Sequence, residues 1–251
     1  MSGTRSHSRK VPATEALIVA HGQPSDPAPA EAEVAQLAFK VAARLPGRRI
    51  QGVTLAASGS LERALAACNA PPMIYPLFMS DGWFTGKALP RRLNGSAGRI
   101  LAPLGLDPAL VGLAAETIAA KCLERDWPLG QVTLTIAGHG SGFSHNAAPA
   151  TRAFSVQLSH MIALRDIRIG FVEEPPSIAE AASGAGPMSI CLRFFAASGK
   201  HVQDDVPNEL AKARCTGETL TAIGASSRIP MLVANALANA DVEALSAPLS
   251  G

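Results

Sequence analysis

Two histidines and an acidic pair in the second half of this chain have the residue types to hold a divalent metal. His139 follows the apolar run Thr135-Ile136-Ala137-Gly138 and precedes Gly140. His201 lies in Ser198-Gly199-Lys200-His201-Val202, and Glu173 and Glu174 follow Gly170-Phe171-Val172. Neutral imidazole suits Fe²⁺, Co²⁺, Ni²⁺ or Zn²⁺. Two adjacent carboxylates can divide metal contact from proton acceptance. Taken singly, a His-Gly pair is equally explained by a tight turn, and a glutamate pair by a solvated loop. Their occurrence in one half of the chain favours a functional reading.

The first half supplies the contrast. Leu17-Ile18-Val19-Ala20-His21-Gly22 resembles the run ending in His139-Gly140. Pro76-Leu77-Phe78-Met79-Ser80-Asp81-Gly82-Trp83-Phe84-Thr85 aligns with Arg193 to Val202 at an offset of 117 residues, and Pro90 and Pro207 follow the two copies. Phe84 stands where the second copy has His201. The segment Gln51 to Ala57, equivalent to that carrying Glu173 and Glu174, has no acid. A repeat of this length indicates a duplicated unit, with the chemistry intact in the second copy.

These residues need elements to position them. Continuous apolar runs at Ala16–Ala20, Ile50–Leu55, Met73–Phe78 and Ile100–Leu104 read as strands. Between them lie helical periodicities at 29–45, 60–68 and 87–93. Asp107 is placed to cap a long helix reaching about Glu124, with Pro108 at its first position. The second half repeats the order: strands at 131–137, 167–173, 188–195 and 218–223, helices at 147–163, 177–182, 202–211 and 230–245. Alternation of this kind implies α/β architecture, with two similar lobes, each a small parallel sheet flanked by helices. The expected organisation is a disordered leader over 1–13, an N-terminal lobe over 14–126 and a C-terminal lobe over 131–251. Trp127-Pro128-Leu129-Gly130 is the joint. Ligands of such sheets bind beyond the carboxyl ends of the strands, where His21, His139, Glu173 and the loop of His201 all fall.

Composition narrows the partners. The net charge is +2 and only 17% of residues are charged, which does not call for nucleic acid. No apolar run approaches a membrane span of about 18 residues, and the basic, Ser-rich start lacks a secretory pattern. Cys68, Cys122, Cys191 and Cys215 are too dispersed for a zinc or iron–sulfur motif and read as reduced thiols in a cytoplasmic protein. A monomer is the expected assembly.

The second half resembles the CbiX/SirB group of class II tetrapyrrole chelatases. The resemblance rests on Gly138-His139-Gly140-Ser141, Asn146, Gly170-Phe171-Val172-Glu173 with Pro176-Ser177, and the string Phe194 to Pro207. It covers nearly all of residues 131–240, with a weaker copy over 15–125. It implies insertion of a divalent metal, Co²⁺ or Fe²⁺ with Ni²⁺ as a further candidate, into sirohydrochlorin for cobalamin or siroheme synthesis. The metal would be a substrate, and no permanently bound cofactor is expected. His139 and His201 would hold it and Glu173 would serve as proton acceptor. His21, Asn146, Lys200 and Glu174 are candidate substrate contacts, and Arg152 and Arg193 are the other nearby cations. His145 is close enough in sequence to reach the site, whereas His160 reads as a helix-surface residue. The chain departs from the group in having Gly199-Lys200-His201 in place of Gly-Gly-His.

Two other readings compete. Histidine phosphatases also place His-Gly after a first strand, but with an arginine before the histidine, where this chain has Ala20 and Gly138. A metal or tetrapyrrole carrier would retain the pocket without turnover.

Overall fold

The computed structural model describes residues 15–93, 95, 97–140 and 147–246. The expected leader over 1–13, His145 and Asn146 lie outside them. The first half runs β1 (Glu15–Ala20), α1 (Pro27–Ala42), β2 (Arg49–Thr54), α2 (Ser60–Ala66), β3 (Met73–Pro76), α3 (Leu89–Leu93), β4 (Arg99–Ile100) and α4 (Pro108–Glu124). The second runs β5 (Thr133–Gly138), α5 (Ala147–Met161), β6 (Asp166–Phe171), α6 (Ile178–Ala182), β7 (Ser189–Arg193), α7 (Val206–Lys212), β8 (Glu218–Thr219) and α8 (Ile229–Ser246). The sheets have orders β2-β1-β3-β4 and β6-β5-β7-β8, parallel throughout. This is the doubly covered α/β class that the continuous apolar strands imply.

Strand alternation divides the side chains between two environments. Ala16 and Ile18 of β1, Leu134 and Ile136 of β5, and Ile190 and Leu192 of β7 belong to one core shared by both halves. Leu17 and Val19 join an outer cluster under α2 and α3. Ala137 and Cys191 join its counterpart under α6 and α7. Burial pushes the Cys191 thiol up to about 12, so this cysteine is inert packing.

The shared core follows from an exchange of terminal helices. Helix α8 packs on α1 and β3 of the first half, and α4 packs on α5 of the second. Ion pairs accompany both crossings. Arg48 pairs with Asp241 on α8, and Arg99 bonds to Glu243 at 2.7 Å and to the Ala240 carbonyl at 2.8 Å. Arg228 pairs with Glu116 on α4, and Arg125 with Glu218 at 3.0 Å. The more exposed of these, at Arg99, Arg125 and Arg228, contribute about 0–1 kcal/mol each, whereas Arg48 and Asp241 are half-buried. The apolar interface carries the larger share.

Several elements differ from the sequence expectation. The fourth strand of each half is two residues long, and after three irregular residues the chain turns into single-turn helices at Leu104–Leu106 and Ile223–Ala225. The helices expected from residues 87 and 202 begin earlier, in π-helical turns at Phe84–Ala88 and His201–Asp205. There Leu89 N–H donates to the Phe84 carbonyl and Val206 N–H to that of His201, five residues back. Pro90 and Pro207 explain the widening. A helical proline has no N–H to give and crowds the carbonyl four residues before it, and a wider turn relieves both problems.

Candidate active site

Three adjacent strand ends converge on one point in the second half. His139 follows β5, Glu173 lies two residues past β6, and His201 opens the π-turn after β7. Backbone bonds continue the ladder beyond the strands: Val172 N–H donates to the Gly138 carbonyl at 3.1 Å and Glu173 N–H to that of His139 at 3.0 Å. These bonds fix the acid beside the imidazole. The ligand atoms of His139, Glu173 and His201 all lie within 4.8 Å of one another. Among the described residues no other three His, Cys, Asp or Glu side chains come this close. The imidazole centroids are 4.4 Å apart at 79°, and His139 Nδ1 is 3.6 Å from Glu173 Oε2.

Hydrogen bonds set the state of each ring. His139 Nδ1 lies 3.0 Å from the Gly140 carbonyl, which can only accept, so Nδ1 carries the proton and Nε2 keeps its lone pair. His201 Nδ1 donates to Asp205 Oδ2 at 2.6 Å, leaving its Nε2 equally available. An acid behind a ligating imidazole fixes the ring and raises its basicity. Asp205 is therefore a site residue that the sequence reading passed over. The signal was present as His and Asp four residues apart at a helix start, obscured by neighbouring Asp204.

Gly140 has φ +69°, and a Cβ there would stand 2.8 Å from Glu174 Cγ and 2.9 Å from Phe171 Cβ. Only glycine allows the turn and the close approach together. Glu174 is thus packed against this turn while Glu173 faces the imidazoles. One Glu174 oxygen is buried without a hydrogen-bond partner among the described residues. Beyond the acids, Ser177 and Glu180 form a reciprocal capping box that starts α6.

The other candidates are dispersed. Lys200 is exposed one residue before His201. Arg193 is committed to structure, donating to the Leu220 carbonyl at 2.6 Å and to that of Val202 at 3.1 Å. Bracing the His201 loop in this way removes it from the pool of free cations. Arg152 lies over the Phe171 ring at 5.8 Å. His160 is exposed on the last turn of α5.

His21 repeats the posture of His139 without its partners. Its Nδ1 is 2.6 Å from the Gly22 carbonyl, and Ala56 N–H donates to the His21 carbonyl at 2.9 Å, which makes Ala56 the counterpart of Glu173. Phe84 meets the His21 ring edge-on at 4.2 Å and 81°, a near copy of the His139–His201 pair. Ala88 stands where Asp205 stands in the other π-turn.

Comparisons with known proteins bear on the family of the chain. A solved structure of CbiX, described as the terminal enzyme for biosynthesis of siroheme in denitrifying bacteria, superposes with a TM-score of 0.82 at 39% identity, covering 90% of this chain and 99% of that one. SirB from Bacillus subtilis with Fe³⁺ shares the fold at a TM-score of 0.74 and 15% identity, covering 92% of this chain and 98% of that one. A probable sirohydrochlorin cobaltochelatase of Halobacterium salinarum is 24% identical over 163 residues, 54% of this chain. That match spans only 56% of the relative's length. No family model matches the chain. The fold is that of the two-lobed chelatases, and at 39% identity over 90% of its length the chain belongs to the CbiX/SirB family.

Proposed function

We propose that this protein inserts a divalent metal, Co²⁺ or Fe²⁺, into sirohydrochlorin. The observation that carries the reading is the convergence of His139, Glu173 and His201 within 4.8 Å, in a chain 39% identical to CbiX over 90% of its length. The product would serve cobalamin or siroheme synthesis. A reducing, cytoplasmic setting suits the four free cysteines, and no helix of the described residues is long and apolar enough to cross a membrane.

Insertion exchanges both inner N–H protons of the macrocycle for one metal ion. The Nε2 atoms of His139 and His201 replace water on the incoming ion without adding charge. Glu173 takes one proton as a metal–nitrogen bond forms and passes it to water before taking the second. Asp205 holds His201 in the required tautomer and stabilises positive charge on the ring as the metal binds. Holding ion and macrocycle together replaces a random encounter with an oriented one, worth up to about 7 kcal/mol of barrier.

The test is turnover. Purified protein, metal-free sirohydrochlorin and Co²⁺, Fe²⁺ or Ni²⁺ in parallel should show an absorbance change faster than the uncatalysed rate. Binding of metal and macrocycle without acceleration would replace the enzyme with a carrier.

A further inference from the structure

The half without the metal trio presents an aromatic and cationic stripe in the same place. Phe84 stacks on Phe78 at 5.9 Å and 19°, and Trp83 meets Phe84 edge to face at 5.1 Å and 84°. In the other half Phe195, the counterpart of Phe78, is 7% exposed. Phe78 and Phe84 are only partly covered, and Trp83 is 54% exposed. The cluster lies past the carboxyl end of β3, the ligand end of a parallel sheet.

Trp83, Lys87 and Arg91 recur every four residues along the helical run from the π-turn into α3, and all three are exposed. Among the described residues, neither the Lys87 nor the Arg91 side chain makes a hydrogen bond or ion pair. Their neighbour Arg92 is already bound to Glu62 at 2.8 Å and to the Leu55 carbonyl at 2.7 Å. The acid on this loop, Asp81, accepts from the Thr85 hydroxyl at 2.8 Å. The matching stripe in the active half is Lys200, Asp204 and Asn208, without a ring and without net charge. An exposed indole followed by two uncommitted cations complements a flat conjugated ring with carboxylates at its rim.

Resting on the chelatase reading, we propose that this stripe is a docking site for the substrate macrocycle. Trp83 stacks against the ring, and Lys87 and Arg91 receive peripheral carboxylates. The degenerate half then contributes substrate recognition while the other half handles the metal.

The chain has two tryptophans, Trp83 and Trp127, so Trp127→Phe leaves Trp83 as the sole indole reporter. Titrating that protein with metal-free sirohydrochlorin should quench its emission. Trp83→Leu, and separately the surface variant Lys87→Gln/Arg91→Gln, should weaken sirohydrochlorin binding by about tenfold or more. Both should leave Co²⁺ binding by the trio unchanged. The double variant should also lose much of the salt dependence of binding. Unquenched Trp83 in a protein that still inserts metal, or wild-type sirohydrochlorin affinity in both variants, would overturn the proposal alone. A change in sedimentation on Trp83→Leu with sirohydrochlorin affinity intact would likewise overturn it, in favour of a face that meets protein. If wild-type protein neither binds sirohydrochlorin nor inserts metal, the functional reading itself falls and takes this proposal with it.

Discussion

The two halves differ at one point in space by three side chains around a shared histidine. Around His139 stand Glu173, His201 and Asp205; around His21 the matching positions hold Ala56, Phe84 and Ala88. The scaffold beneath is retained in both halves. Each histidine has Nδ1 on the next glycine's carbonyl, each glycine has a left-handed φ, +74° at Gly22 and +69° at Gly140, and each third strand feeds a π-turn. Sheet and core hold this geometry whichever side chains occupy it. The same turn geometry therefore forms with either set of side chains.

The comparison can be tested by subtraction. His139→Ala or His201→Ala should abolish metal insertion, whereas His21→Ala should change the rate by no more than about threefold, as expected for a residue outside the chemistry. Steady-state insertion of Co²⁺ reads both, and an equal loss for His21 would make the site a composite of the two halves.

Glu173→Gln should slow single-turnover insertion by about 10²-fold or more with metal affinity nearly intact, the scale of a lost general base. Glu174→Gln should do less, since its carboxylate packs against Gly140. A larger effect at Glu174 would reverse the assignment.

Asp205→Ala should weaken Co²⁺ binding by about tenfold, the lower end of the range for such partners. Asp205→Asn, which keeps an acceptor for His201 Nδ1, should recover part of the loss. A merely structural role would not discriminate between the two variants, so Co²⁺ titration decides.

The smallest effect concerns how each half anchors its first strand. Glu15 accepts from Ala70 N–H at 3.1 Å and Asn69 N–H at 2.6 Å, where the other half has Thr133 bound by Arg165 at 2.6 Å. The bond from Ala70, with those from Asn69 and the charge of Arg49, holds the Glu15 carboxyl below its ordinary value of 4.5. A lowered folded value favours folding above the unfolded value, and the contribution fades as pH falls through the folded one. Glu15→Gln should therefore lower the thermal midpoint at pH 7, with the gap to wild type narrowing below about pH 4.

Much of this was legible before the structure. Apolar runs such as Leu17 to Ala20 and Leu134 to Ala137 identify buried parallel strands, and the internal repeat identifies the duplication. Strand ends then bring His139, Glu173 and His201 to one edge. Asp205 was hidden because a π-turn was not anticipated, and Asp204 and Asp205 cannot be told apart without knowing the turn. The exchange of α4 and α8 was hidden for a different reason. Periodicity shows which face of a helix is apolar but not which sheet it covers. The broad apolar surface of α4, buried from Leu110 to Cys122, was the available hint of packing on more than one side.

The exchanged helices have a consequence for symmetry. A half severed near residue 128 would leave its sheet without the helix that covers it and would present the shared core to water. It could bury that surface only by pairing with a second copy of itself, each lending the other its last helix. Such a pair would necessarily carry two identical sites. Joining the copies in one chain lifts that equality. One side can then specialise in the ion, and the other is free to become something else.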